Sequence, residues 1–183
     1  MCVLIVKRSG INMPSQEILS ACAAKNPDGF GLVTPTRFIK TMDIEEFLEA
    51  CREVKKSEPA IIHCRWATHG TVTERNCHPF YDEDTDTYFA HNGVLPFNPV
   101  EDITDSEYAF RRFIVPAIKK KGFASRLVAN VIKAIIGSSK FALMNGEDIR
   151  MFGSFENIDG VYFSNLHWLY YMKDRLSIFR KAI

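Results

Sequence analysis

No apolar run in this chain reaches the roughly 18 residues that a membrane-spanning helix needs, so no span is expected. The opening residues carry no charged stretch followed by an apolar one, so a secretory leader is not expected either. An excess of either charge is also missing. The 23 basic side chains nearly cancel the 22 acidic ones, for a net charge of +1. That balance offers no electrostatic footing for nucleic acid or an anionic membrane surface, and neither is expected as a partner. Repeats, low-complexity tracts and long linkers are absent. The longest loop-like stretch, Leu95 to Thr104 with Pro96 and Pro99, is short enough to sit inside one domain. The cysteines are five, an odd number. Without a leader, that points to free thiols in a reducing cytoplasm.

What remains is an ordinary globular balance, with 46% apolar and 25% charged residues over 183 positions. A single domain over 1–183 is expected, with no fused synthase domain. A chain of this size buries roughly 70% of its unfolded surface, enough for a core without staples.

The pattern predicts strands and helices in an α+β order. Cys2 to Lys7 reads as a first strand, and Ser15 to Ala24 as a helix capped by Ser15. Gly29-Phe30-Gly31 reads as a turn leading to strands at Leu32–Thr34 and Arg37–Lys40. Asp43 and Glu46 have the spacing of a capping box, and Ile44, Phe47, Leu48, Cys51 and Val54 follow at helical period. Ala60 to Cys64 is a short apolar run of the buried-strand kind. Tyr88 to His91 is another strand, closed by Asn92-Gly93. Thr104 to Glu107 opens a helix to about Lys119 that Pro116 should kink or end. A helix fits Ser125 to Ile136, and a hairpin about Asn145-Gly146 joins Phe141–Met144 to Ile149–Phe152. Val161–Ser164 adds a strand, with a helix from Leu166 onward.

Chemistry-bearing residues gather at the ends of these elements. Cys2 directly follows the initiator methionine, which is normally trimmed when the next residue is this small. The processed chain would begin with a thiol and a free α-amine on one carbon, a nucleophile with its own general base. On position alone, Cys2 also reads as a small hydrophobe at the start of an edge strand. Arg65 follows a buried strand and can fork onto a carboxylate. Asp105 lies in the first turn of a helix and can face an ammonium group. Together they fit the two ends of a free amino acid, although a structural ion pair and a helix cap would use the same residues. Asn92 offers a side-chain N–H and Gly93 an unobstructed backbone N–H, the two donors of an oxyanion hole. His63, Cys64, His69, Cys77, His78 and His91 match no common zinc spacing, so no metal site or other cofactor is expected. Asp28 reads as a turn former that also orders the loop near Cys2.

In this order the sequence resembles the class II glutamine amidotransferases of the N-terminal nucleophile (Ntn) hydrolase superfamily. The resemblance rests on Cys2, the Arg65-Trp66-Ala67-Thr68-His69-Gly70 segment leading to His78-Pro79, the His91-Asn92-Gly93 turn and Asp105-Ser106-Glu107. It spans about residues 2 to 165. It implies a four-layer αββα sandwich, with two packed, mainly antiparallel sheets flanked by helices. It further implies that Cys2 attacks the γ-carboxamide of glutamine while Asn92 and Gly93 hold the oxyanion. Arg65 would bind the substrate α-carboxylate and Asp105 its α-amino group. Trp66, Thr68 and His69 would belong to a loop that closes over the substrate. The products would be ammonia and, through a γ-glutamyl thioester, glutamate, with the ammonia passed to a separate acceptor enzyme. One departure is plain: Lys25-Asn26 stands where many members carry Arg-Gly. Two other readings stay open, a stand-alone hydrolase of γ-glutamyl amides and a non-catalytic Ntn-fold binding or regulatory module.

Overall fold

Alternation along the central strands sorts their side chains onto two faces. On β1 (Val3–Lys7), Val3 and Ile5 join one apolar cluster, and Leu4 and Val6 another. The computed structural model describes residues 1–68, 70–99 and 103–172. Within them β1 lies inside a six-stranded antiparallel sheet with β2 (Phe30–Val33), β3 (Phe38–Thr41), β4 (Ala60–Cys64), β9 (Glu156–Ile158) and β10 (Val161–Phe163), in the order β3-β2-β4-β1-β10-β9. The second sheet has four antiparallel strands, β5 (Phe80–Asp82), β6 (Thr87–Asn92), β7 (Lys140–Asn145) and β8 (Asp148–Phe152), in sequence order.

Three apolar clusters stack through the molecule. Leu4, Val6, Val33, Ile61, Ala90, Ala142 and Met144 fill the space between the sheets. Val3, Ile5, Ile62 and Cys64 face the other way, against Leu19 and Cys22 of α1 (Gln16–Lys25) and Phe47, Leu48 and Cys51 of α2 (Ile44–Arg52). Phe89, Phe141 and Leu143 cover the outer face of the second sheet. They pack on Phe110 and Ile114, on Val115 and Ile118 of α4 (Val115–Lys121), and on Val128 and Ile132 of α5 (Arg126–Ile135). The result is the expected four-layer αββα sandwich.

Helix starts follow their capping residues. Ser15 accepts from Ile18 N–H, Asp43 from Glu45 and Glu46 N–H, and Ser125 from Val128 N–H. A cap of this kind is worth about 1 kcal/mol. At α2 the reciprocal half of the expected box is indirect. The Glu46 carboxylate accepts from the Thr41 hydroxyl, and Thr41 Oγ1 in turn accepts from Asp43 N–H at 3.0 Å.

Three expectations need correction. Phe30 and Gly31 are strand residues, not turn residues. A Cβ on Gly31 would lie 1.8 Å from the His78 carbonyl oxygen, so this glycine lets the His78-Pro79 segment cross over β2. The expected helix from Thr104 to Lys119 is three pieces: α3 (Asp105–Ala109), a π-helical turn Phe110–Ile114, and α4. Pro116 has no N–H to give and its ring crowds the carbonyl four residues back; the widened turn just before it absorbs both defects. Finally, β5, β9 and a 3-10 turn at Glu74–Asn76 were not foreseen; each is only three residues long, too short to show a period. The C-terminal helix is underway by Trp168 and runs to 172; its expected continuation lies outside the described residues. No helix among the described residues is long and apolar enough to cross a membrane.

Candidate active site

The ends of β1, β4 and β6 and the start of α3 meet at one edge of the two sheets. A small cavity there, about 30 Å3, is lined by Cys2, Arg65, Trp66, Thr68, His78, His91, Gly93 and Asp105, among others. Of the eight residues expected at the site, six line this cavity. Asn92 stands directly behind Gly93, and His69 lies outside the described residues. A larger cavity of about 450 Å3 sits beyond the other end of β1, between the 10–18 segment and β9–β10, and among the described residues no cysteine, histidine or arginine lines it. The small cavity gathers Cys2 and five more of the expected residues and is therefore the candidate.

Cys2 immediately precedes β1, and of the five free thiols it alone is not fully buried. Its Sγ lies 3.3 Å from Trp66 N and 3.4 Å from Trp66 O, so the Trp66 peptide group brackets the thiol. Burial pushes the thiol up from its ordinary range; the Trp66 N–H, the chain's amino terminus and Arg65 work against that. The Cys2 carbonyl accepts from Asn165 Nδ2 at 2.8 Å, which fixes the backbone just below the thiol.

The loop after β4 is held by the turn before β2. Asp28 N–H donates to Arg65 O at 3.0 Å, Arg65 N–H to Gly29 O at 2.8 Å, and Ala67 N–H to Asp28 Oδ2 at 2.8 Å. Asp28 thus orders the segment that cradles Cys2. Arg65 is 3% exposed and donates from Nη1 to Thr71 O at 3.0 Å, which ties its head group to the far side of its own loop. Trp66, by contrast, is 44% exposed at the mouth.

Asn92 ends β6 and is 2% exposed. Its Nδ2 donates to Ser164 Oγ at 2.8 Å, and the same oxygen accepts from Leu4 N–H at 2.8 Å. One hydroxyl therefore couples β1 in one sheet to the Asn92 amide at the end of β6 in the other. A carboxamide nitrogen has two N–H donors, so a second stays available. Gly93 has φ +142°, and a Cβ there would meet Ser139 Oγ at 2.2 Å. Both facts demand glycine at this position.

Asp105 opens α3, but the cap is Thr104, whose Oγ1 accepts from Glu107 N–H at 3.1 Å. The Asp105 carboxylate instead accepts from Leu95 N–H at 2.8 Å and Ser106 N–H at 2.7 Å, which pins it at the cavity wall. The cap is thus Thr104, the first residue of the expected capping box, and the alternative reading of Asp105 as a helix cap falls away. Glu107, also buried, pairs with Arg111 at 2.8 Å and Arg75 at 3.7 Å.

Three histidine rings are buried, His78 and His91 in the cavity wall and His63 against His78. His63 and His78 lie 4.3 Å apart, and His78 and His91 6.3 Å apart. His63 Nε2 lies 3.0 Å from His91 O, and a carbonyl can only accept, so that nitrogen carries the proton. Burial lowers all three basicities: His63 to about 3, His91 to about 4, and His78 well below its ordinary value. They are neutral imidazoles at neutral pH. No group of three metal-ligating side chains among the described residues is arranged to hold an ion.

Ser164, Asn165 and Ser106 are site-supporting residues that pattern reading missed. A hydroxyl at the end of a strand or in a helix's first turn reads as a terminus or a cap, and only the fold shows what it touches.

Residues 40–162 match the family model described as glutamine amidotransferases class-II. Among curated proteins, the isomerizing glutamine–fructose-6-phosphate aminotransferase of Fusobacterium nucleatum is 54% identical over 33 residues, 18% of this chain and 5% of its own length. The same enzyme of Chlamydia caviae is 38% identical over 71 residues, 37% of this chain and 12% of its own. The matched stretches are thus a small part of those relatives. Among solved structures, the Bacillus subtilis glutamine phosphoribosylpyrophosphate amidotransferase complexed with ADP and GMP superposes with a TM-score of 0.60 at 18% identity, covering 89% of this chain and 41% of that one. An allosteric regulatory enzyme of purine biosynthesis gives 0.56 at 17% identity, with the same coverage. At these identities the superpositions speak for the fold.

Proposed function

Since the chain belongs to the class-II glutamine amidotransferase family, we propose that it hydrolyses the side-chain amide of glutamine to glutamate and ammonia, with Cys2 as the nucleophile. One observation carries this reading. A single small cavity gathers a partly exposed thiol, an arginine, a glycine with its backbone N–H and an aspartate from four separate segments of the chain.

In this reading, removal of Met1 leaves an α-amine on Cys2. That amine takes the thiol proton, through a water, as sulfur attacks the γ-carboxamide carbon. The second Nδ2–H of Asn92 and the N–H of Gly93 hold the oxygen as it becomes anionic. The tetrahedral adduct collapses, the amine returns its proton to the departing nitrogen, and ammonia leaves a γ-glutamyl thioester on Cys2. Water, deprotonated by the same amine, then attacks the thioester carbon, releasing glutamate and restoring the thiol. Arg65 receives the substrate α-carboxylate and Asp105 its α-ammonium. The loop bearing Trp66, Thr68 and His69 opens to admit glutamine into the small cavity and closes over it. Ammonia then passes to a separate acceptor enzyme.

A second reading keeps the chemistry and changes the substrate to another γ-glutamyl amide. The observation favouring it is Lys25-Asn26 in place of Arg-Gly, with Asn26 Nδ2 turned back onto Cys22 O at 2.8 Å. Ammonia release from glutamine by the processed chain, abolished in Cys2→Ala, is the expected result. Normal release by Cys2→Ala would sink the mechanism. Loss in that variant of cleavage of a γ-glutamyl amide, with glutamine untouched, would select the second reading.

A further inference from the structure

We infer that Ser106 is a positioning residue: its hydroxyl aims the Asp105 carboxylate at the substrate α-ammonium and so sets the selectivity for substrates that carry one. The inference rests on the amide-hydrolysis reading above and adds to it a residue that sets substrate choice.

The argument is one of counting donors and acceptors. Asp105 Oδ1 accepts from Ser106 N–H at 2.7 Å and Ser106 Oγ–H at 3.1 Å, and Oδ2 accepts from Leu95 N–H at 2.8 Å. An ionised carboxylate has about four acceptor directions. With three taken, one on Oδ2 is left for an incoming N–H. The Ser106 hydroxyl has a single proton, and it goes to Asp105. The 2.7 Å contact between Ser106 Oγ and His91 Nδ1 must then have the ring N–H donating. Both the hydroxyl rotor and the imidazole tautomer are fixed by that direction.

His91 is itself held, since its carbonyl accepts from His63 Nε2 at 3.0 Å. It is also the residue before Asn92. The serine thus ties the ammonium-facing carboxylate to the strand that ends in the oxyanion donors. Helix capping does not explain the hydroxyl, because Thr104 already caps α3. Nor does solvation, because Ser106 is 4% exposed.

The test compares ammonia release from glutamine with release from glutaramate, which has the same carboxylate and amide but no α-amine. Wild-type protein is expected to prefer glutamine in kcat/KM. Ser106→Ala should lose roughly tenfold of that preference, the size of one hydrogen bond to a charged group. The loss should fall on KM for glutamine, with glutaramate turnover nearly unchanged. Ser106→Thr, which keeps a hydroxyl, should restore the ratio. An equal loss on both substrates in Ser106→Ala would mark a merely structural role and overturn the inference. So would an unchanged ratio, or a threonine variant no better than alanine. A wild-type chain that releases ammonia from neither compound would defeat the glutamine reading itself, and this assignment with it.

Discussion

Asn92 and Leu4 share one acceptor, the Ser164 hydroxyl, so the proposed oxyanion donor and the strand that follows the proposed nucleophile are fixed by the same atom. Two variants separate their contributions. Asn92→Ala removes the proposed oxyanion donor and should lower kcat by roughly 10²–10³-fold. Ser164→Ala removes only the brace and should lower kcat several-fold, about 1 kcal/mol. Steady-state ammonia release checks both, and a larger effect at Ser164 than at Asn92 would reverse the assignment. Gly93→Ala is a third case. Its Cβ meets Ser139 and its φ stays positive, so it should lose about 1–3 kcal/mol of stability, read from the urea midpoint. At this scale the sequence was readable where the candidate residues sit in contiguous words. Arg65 through Thr68, Asn92-Gly93 and Asp105 all carried their signal in adjacent residues, and all reach the cavity or stand directly behind it. Ser164 and Ser106 did not. Their partners lie 72 and 15 residues away, and nothing local distinguishes their hydroxyls from those of any strand end or first turn.

Thr104 and α3 show how an element start can serve a site. The cap sets the first turn, and the first turn presents Asp105 to the cavity. Thr104→Ala should therefore lower stability by about 1 kcal/mol and also raise KM for glutamine. Urea titration and kinetics check the two parts, and a stability loss with unchanged KM would uncouple the cap from the site. Helix starts at Ser15, Asp43, Thr104 and Ser125 were legible because each carries its own capping side chain. The middle of the α3–α4 region was not. Proline announces a defect, but whether the chain kinks, stops or widens into a π turn depends on what packs beneath it. Here Phe110 and Ile114 are both fully buried, so the widened turn keeps two large side chains on the sheet.

Across the whole molecule, the three buried histidines link stability to pH. Each is neutral when folded and has an ordinary basicity when unfolded, about pKa 6.5. Above that pH neither state binds the proton and stability is full. As pH falls below about 6.5, the unfolded chain takes up protons that folded His63 and His91 refuse until about 3 and about 4, and His78 until well below its ordinary value. Stability should then fall by about 1.4 kcal/mol per pH unit for each histidine. Urea midpoints at pH 7.5, 6 and 5 check this, and a midpoint that holds or rises at pH 5 would contradict it. The layering of the fold was legible in a different way from its elements. The apolar runs at Cys2 to Lys7 and Ala60 to Cys64 read as strands, but nothing in them told which strand lies alongside. The pairing of Ile5 with Phe163 joins opposite ends of the chain, and no local pattern encodes it. There the resemblance to a known family, not periodicity, supplied the architecture.

The central claim is that the processed chain presents Cys2 as a nucleophile that reads glutamine. The most direct measurement is the intact mass of the purified protein before and after incubation with a diazo-ketone analogue of glutamine, with peptide mapping of any adduct. The account predicts loss of Met1 and a single adduct on Cys2. Retained Met1, or an adduct on Cys77 or another thiol with Cys2 untouched, would contradict it.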